Sequence, residues 1–219
     1  MLEHTLDRAA RAAGPQRVVT VVNSDHHIYL QRPRRLNIPG RLIAQPRRCD
    51  TGPGVFLPLS VVMAQDPKAL VAVMPSDHFI HSKAAFQTIL NEAFELATYL
   101  PRKIILLAAE PDAPEPDYGW ITPGPRLIRS RASLVDRFKE KPHPAESEEL
   151  HRGGSLWNTM IVVAQASALW ESAQALHPEM ASRFQALRPW IGTPVEAEAV
   201  DMVYRGMPSV NFSRDILER

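Results

Sequence analysis

Three short stretches carry side chains whose types and spacing can do chemistry. In "ALVAVMPSDH" (69–78) an apolar run of strand length stops at Pro75, and Ser76, Asp77 and His78 follow at once. A carboxylate just past the end of a buried strand can hold a hard cation such as Mg²⁺, with phosphate oxygens and waters completing the shell. Asp is equally at home as a helix cap or turn residue, so position alone leaves both roles open for Asp77. His78 and His81 are three apart, but a zinc site needs further ligands and the one cysteine, Cys49, is distant in sequence, so both read as structural. In "FKEKP" (138–142) Glu140 and Lys141 end a strand that Pro142 stops. A carboxylate there can accept two sugar hydroxyls and an ammonium can hold a phosphate; an exposed ion-rich turn is the plainer alternative. In "LWN" (156–158) Asn158 is an amide among apolar neighbours within a strand, where it must satisfy backbone or face a ligand. Trp157 beside it reads as core.

The elements that must position these groups alternate along the chain. Residues 1–13 form an amphipathic helix, with Leu2, Leu6, Ala9, Ala10 and Ala13 on one face, and Gly14-Pro15 stops it. Its acids and arginines are unlike a signal peptide. Strands are expected at 17–22, 41–45, 69–75 and 103–109. Helices are expected at 54–65, where Pro58 weakens the pattern, and at 83–100, which Ser82 can cap. Apolar strands without alternation, separated by helices, predict a parallel sheet covered on both faces. After the Pro-rich acidic stretch 110–117, strands follow at 118–121, 133–142 and 155–164. A helix lies between the last two, and two or three more helices run to Val203.

Composition narrows the class. The 219 residues, 45% hydrophobic and 22% charged, suit one domain over 1–219. A net charge of +1 gives no polyelectrolyte signal for nucleic acid. No apolar stretch approaches the roughly 20 residues that span a bilayer, so no membrane partner is expected. A single cysteine excludes a disulfide framework within the chain and points to the cytoplasm. Arginines cluster at "QRPRR" (31–35) and "QPRRC" (45–49), as solvated surface or as a patch for a phosphorylated ligand. Oligomeric state is left open.

Taken in order, five motifs resemble the nucleotide-sugar pyrophosphorylases, in particular the mannose-1-phosphate guanylyltransferase branch. That branch reads Q-P-x-N-R-G-T-A-P-A-I where this chain has "QPRRCDTGPGV" (45–55), and P-[AS]-D-H where it has "PSDH" (75–78). It reads P-E-x-x-Y-G-[YW]-I, F-x-E-K-P and L-W-N where this chain has "PEPDYGWI" (114–121), "FKEKP" (138–142) and "LWN" (156–158). The resemblance implies a Rossmann-like, GT-A-like nucleotidyltransferase fold of α/β class with a mixed, mostly parallel sheet. It implies that a nucleoside triphosphate, GTP by analogy, and a hexose 1-phosphate, mannose by analogy, become a nucleotide sugar and pyrophosphate. Gln45, Pro46 and Thr51 would lie at the nucleotide, and Asp77 would bind the catalytic Mg²⁺. Gly119 would pack its backbone on the sugar, Glu140 and Asn158 would hold its hydroxyls, and Lys141 its phosphate.

The departures are as definite as the matches. The family's G-G-x-G-T-R-L phosphate loop, its R-P-K-Q-F element and its W-S-D-x-G segment, which brings a second metal carboxylate, do not occur, and Cys49-Asp50 replaces Arg-Gly. Met1 thus reads as an internal methionine. The expectations are a domain incomplete at both ends, no turnover by the 219 residues alone, and unpaired edges between 17–22 and 69–75 that make the chain marginal or aggregation-prone. Two rivals stand beside this reading. One is a degenerate module that binds a sugar phosphate or a protein without catalysis. The other is a glycosyltransferase, whose D-x-D metal motif is absent here.

Overall fold

The computed structural model describes residues 1–26, 37–128 and 130–219. The arginine cluster at 31–35 lies outside the described residues.

Helix α1 (Leu2–Ala13) ends at Gly14, whose φ of 84° suits a residue without a Cβ. Strands β1 (Val19–Asn23) and β2 (Arg41–Gln45) pair in parallel, with Asn23 opposite Gln45 at their carboxyl ends. Helix α2 (Thr51–Gln65) starts earlier than its apolar pattern suggests. Asp50, at φ 65°, accepts a hydrogen bond from the Thr51 amide at 2.7 Å and caps it there. Pro58 is accommodated inside this helix, whose Phe56 and Leu57 are fully buried. Strand β3 (Leu70–Val73) leads through a loop to α3 (Lys83–Tyr99), where Ser82 Oγ accepts from the Ala85 amide at 3.4 Å, as a cap should. Then come β4 (Ile105–Ala109), β5 (Gly119–Arg126), β6 (Ser133–Glu140), α4 (Pro144–Arg152) and β7 (Leu156–Gln165). Helices α5 (Ala166–Leu176), α6 (Pro178–Leu187) and α7 (Glu196–Tyr204) follow, and a π-helical turn spans Ser213–Leu217.

Strand β7 organises the larger sheet. One edge takes β4, with Ile105 opposite Val163; the other takes β3 along its carboxyl half and β5 at its amino end, and β6 completes the sheet beyond β5. The α/β class and the mixture of pairings stand, but the expected predominance of parallel pairing does not. Every ladder in this sheet is antiparallel, and β1–β2 is the parallel pair among the described residues. Strands β3 and β4 do run in the same direction around α3, yet the late strand β7 inserts between them. Continuous apolar strands report burial on both faces, and that holds. Ile161 and Val163 of β7 pack against Phe86, Leu90 and Ala93 of α3, while Val162 and Ala164 face the core built by α2, α5, α6 and α7. Burial on two faces does not by itself fix strand direction.

Strand β1 and strand β3 belong to different sheets. Val19, Val21, Val71 and Val73 nevertheless pack on the same core, so the two edges are joined by side chains and not by a hydrogen-bond ladder. Among the described residues no hydrogen-bond ladder links 17–22 to 69–75. Among the described residues no helix is long and apolar enough to cross a membrane.

Candidate functional site

Register gathers four of the candidate residues at one end of the larger sheet. Gly119, the first residue of β5, lies opposite Glu140, the last of β6; Trp120 lies opposite Trp157, and Ala108 opposite Asn158. Because β3 runs antiparallel to β7, its carboxyl end, which leads to Asp77, points to the same end of the sheet. A Cβ on Gly119 would stand 2.7 Å from Glu140 Oε2 and 3.2 Å from Asn158 Cβ. The missing side chain is therefore what lets the Glu140 carboxylate and the Asn158 Cβ approach the Gly119 backbone together.

Asn158 owes its setting to a bulge. Leu107 pairs with Ile161 but the next residue, Ala108, pairs with Asn158, so residues 159 and 160 are extra on β7. Met160 takes φ 55°, its amide donates to Asn158 Oδ1 at 3.1 Å, and Thr159 Oγ1 donates to the Leu107 carbonyl at 2.5 Å. Of the two alternatives for Asn158 the structure shows the internal one: its oxygen accepts from the Met160 amide, and its Nδ2 lies 3.5 Å from Ser213 Oγ. Trp157 is partly buried and packs edge-on against Trp120 at 6.2 Å and Tyr118 at 4.9 Å, outside the two core clusters.

Glu140 is half-buried, and burial raises its carboxyl above the ordinary glutamate value; Lys141 and a hydrogen bond from Ser213 act the other way. Lys141 is exposed and turns through φ 45°, breaking the strand alternation just where β6 ends. Glu218 accepts from the Glu140 amide at 3.1 Å and pairs with Lys139 Nζ at 2.9 Å. Burial alone would raise Glu218, but these two partners outweigh it and hold its carboxyl below the ordinary range.

Asp77 lies in a turn, and helix α3 is capped by Ser82 instead, which removes the cap alternative. Its side chain is 82% exposed, with His78 Nε2 at 4.0 Å. Helix α1 holds the loop from behind, through Thr5 Oγ1 to the Pro75 carbonyl at 3.3 Å and Arg8 Nη2 to the His78 carbonyl at 3.0 Å. Among the described residues no three His, Cys, Asp or Glu side chains converge on one point. A lone hard carboxylate fits Mg²⁺ in the way that ion usually binds, with one or two carboxylates and the rest substrate phosphate and water. It fits an ion that arrives with a triphosphate and not one caged by the protein.

The nucleotide-side candidates Gln45, Pro46 and Thr51 each have partners within the protein. Gln45 is buried, its Nε2 donates to Asn23 Oδ1 at 2.5 Å, and its Oε1 accepts from the Tyr204 hydroxyl at 3.2 Å. That amide ties β1, β2 and α7 together. The Pro46 carbonyl accepts from Ser24 Oγ at 3.1 Å. Thr51 Oγ1 accepts from the Phe212 amide at 2.8 Å, and Asp50, which also caps α2, accepts from Asn211 Nδ2 at 3.2 Å. The two candidate clusters are linked by one segment. Residues 207–212 bond to Arg47, Asp50, Thr51 and Gly52, and residues 213–218 bond to Asn158, Met160, Lys139 and Glu140. Motif reading missed Arg8, Ser213 and Glu218. Their signals were faint: one of two arginines on an amphipathic helix, and two polar residues in a helical segment at 213–218.

The family model described as "Nucleotidyl transferase" matches residues 1–188. The chain belongs to the nucleotidyl transferase family. Within it, the chain is 27% identical over 225 residues to the xanthan biosynthesis protein XanB of Xanthomonas campestris pv. campestris, covering 100% of this chain and 46% of that protein. It is 27% identical over 182 residues to a protein of Vibrio cholerae described as "Putative mannose-1-phosphate guanylyltransferase", covering 82% of this chain and 38% of that one. The chain thus spans about half or less of the length of these relatives. A crystal structure described as mannose-1-phosphate geranyltransferase from Thermus thermophilus superposes with a TM-score of 0.84 at 26% identity, covering 100% of this chain and 61% of that chain. One described as mannose-6-phosphate isomerase from Helicobacter pylori reaches 0.78 at 18% identity, covering 100% of this chain and 84% of that chain, and shares the fold. The nucleotidyl transferase fold inferred from five motifs is the fold observed.

Proposed function

We propose that residues 1–219 form one nucleotidyltransferase unit of a cytoplasmic protein that makes a nucleotide sugar, with GTP and mannose 1-phosphate as the substrate pair. The observation that carries this reading is the Gly119–Glu140–Asn158 arrangement: a missing Cβ leaves room for the Glu140 carboxylate and the Asn158 side chain against one stretch of strand backbone, with Lys141 one residue on. The pair GTP and mannose is supported by the relatives' names, mannose-1-phosphate guanylyltransferase among them.

In this reading the Glu140 carboxylate and the Asn158 amide hold hexose hydroxyls against the Gly119 backbone, and Lys141 neutralises the sugar phosphate. A sugar-phosphate oxygen attacks the α-phosphorus of the triphosphate; that P–O bond forms as the bond to the β-phosphate oxygen breaks, and pyrophosphate leaves. No protein nucleophile is needed, and the side chains act by positioning and charge. Asp77 would hold Mg²⁺, which supplies charge neutralisation to the triphosphate when bound.

The test is calorimetric titration of the chain with mannose 1-phosphate, glucose 1-phosphate, and GTP with and without Mg²⁺. Binding of mannose 1-phosphate that Lys141→Met weakens at least tenfold, and GTP binding whose Mg²⁺ dependence Asp77→Asn removes, are the expected results. Binding that Lys141→Met and Glu140→Gln leave unchanged would overturn the sugar-phosphate assignment. Binding of both ligands without pyrophosphate release by a protein extended at both ends would favour the non-catalytic module.

A further inference from the structure

The end of strand β6 is held by a residue that no motif contains. The ladder between β5 and β6 finishes at Gly119 opposite Glu140, and the next residue, Lys141, takes a left-handed φ of 45°. A side chain in that region costs on the order of 1–2 kcal/mol, so the turn persists only where surrounding contacts over-determine it. Pro142 follows and has no N–H to contribute. The contact that remains comes from the far end of the chain. Glu218 Oε2 accepts from the Glu140 amide at 3.1 Å, and Glu218 Oε1 takes the Lys139 ammonium at 2.9 Å. The Glu218 and Lys139 side chains are 21% and 32% exposed, so this pair is partly shielded from water and from salt. One carboxylate thus grips the residues on both sides of the Lys139–Glu140 peptide bond.

We infer that Glu218 is a positioning residue: by bonding the Glu140 amide and engaging the Lys139 ammonium, it fixes the turn that presents the Glu140 carboxylate and the Lys141 ammonium to one hexose 1-phosphate. This rests on the proposed sugar-phosphate role of Glu140 and Lys141. Two physical consequences follow from the geometry. Lys139 and Lys141 flank Glu140, and two loose ammonium groups would offer a phosphate two competing positions. With Lys139 engaged by Glu218, the phosphate is directed to Lys141. The second consequence concerns the π-helical turn Ser213–Leu217, from which Ser213 Oγ reaches Met160 Sδ at 2.9 Å and lies 3.5 Å from Asn158 Nδ2. The turn therefore touches the Asn158 bulge at one end and the Glu140 amide, through Glu218, at the other, so it sets the spacing between the two hydroxyl-binding groups.

The experiment uses the 219-residue chain, Glu218→Ala and Glu218→Gln, with mannose 1-phosphate as the probe. Two readouts are taken: calorimetric affinity, and hydrogen exchange of the Glu140 amide by NMR. Glu218→Gln keeps an oxygen acceptor for the Glu140 amide; Glu218→Ala keeps neither partner. Expected are at least a tenfold loss of affinity and at least tenfold faster exchange at Glu140 in Glu218→Ala; in Glu218→Gln the exchange stays within about threefold of the parent and the affinity falls between those of the parent and Glu218→Ala, because the amide acceptor is kept and the charge that engages Lys139 is not. Exchange in α5 should be unchanged in both, which separates this effect from general destabilisation. Parent-like affinity and exchange in Glu218→Ala would overturn the inference while leaving the Glu140–Lys141 assignment intact. A parent chain that does not bind mannose 1-phosphate would overturn the pocket reading, and the exchange rates then decide alone whether Glu218 fixes the turn.

Discussion

The guanidinium of Arg8, only 7% exposed, donates from Nη2 to the His78 carbonyl at 3.0 Å, across 70 residues of chain. The same nitrogen donates to Thr5 Oγ1 at 2.7 Å, and the group sits over the Phe86 ring at 5.9 Å. Burial lowers its pKa without removing the proton, so a full cation is held against the loop that carries Asp77. Arg8→Met should lower stability by about 2 kcal/mol, the scale of a charge-assisted hydrogen bond with its desolvated acceptor left behind. Amide exchange at residues 77–79 should quicken with it. Arg8→Lys should recover less than half of the loss, because an ammonium lacks the planar face that lies over the Phe86 ring while Nη2 reaches Thr5 and His78. Urea denaturation and exchange in the three chains check this, and an unchanged loop in Arg8→Met would show that α1 does not hold it.

Gly119 admits no side chain without moving the pocket. In Gly119→Ala the new Cβ meets Glu140 Oε2 at 2.7 Å, Asn158 Cβ at 3.2 Å and Phe138 Cζ at 3.3 Å. Forced repacking of this kind costs about 1–3 kcal/mol. The carboxylate, at the free end of its side chain, yields first, so affinity for mannose 1-phosphate should fall more than tenfold while the fold survives. Retained affinity in Gly119→Ala would mean that the ligand does not lie against this strand.

The raised pKa of Glu140 has a definite sign. The folded state holds the proton more tightly than the unfolded chain, so stability from this group is fully present below the ordinary glutamate value of about 4.3 and is lost as pH rises through the folded pKa. Above its folded pKa the half-buried carboxylate is a cost. Glu140→Gln should therefore raise the denaturation midpoint at pH 7, and the difference between the two chains should shrink towards zero on acidification below about 4. The same substitution should weaken mannose 1-phosphate binding at pH 7. Denaturation curves at pH 7, 5 and 3.5 decide the matter; a gain that persists at pH 3.5 would point to some cause other than the charge.

Tyr204 separates a structural role for Gln45 from a nucleotide contact. Its hydroxyl, pushed well above its ordinary pKa by burial, stays protonated and lies 3.2 Å from Gln45 Oε1 and 3.3 Å from the Pro53 carbonyl. Tyr204→Phe removes that donor and strands the buried Gln45 oxygen, at a cost of about 1–2 kcal/mol. If Gln45 is a structural tie between β1, β2 and α7, affinity for GTP with Mg²⁺ should hold within about threefold. A large loss of GTP affinity at unchanged stability would return Gln45 to the nucleotide site.

Much of this protein is local and so was legible in the chain. Strand 41–45, the helix that Ser82 caps, and the helix that ends at Gly14 each follow from short-range chemistry: apolar periodicity, a hydroxyl that accepts an amide, a residue free to take positive φ. The order of motifs carried the fold and the family, and brought Gly119, Glu140 and Asn158 together before any register was known. What the sequence by itself could not determine is what depends on contacts between distant segments. Strand direction is one: β3, β4 and β7 are apolar on both faces whichever way they run, and only the insertion of β7 between β3 and β4 made the sheet antiparallel. The partners of Gln45 are another, because nothing in the sequence says that Asn23 and Tyr204 close on its amide. Arg8 and Glu218 are the third case. Nothing near them in sequence marks them, since their partners, His78 and the Glu140 amide, are backbone groups, which carry no residue identity and which only tertiary structure brings within reach.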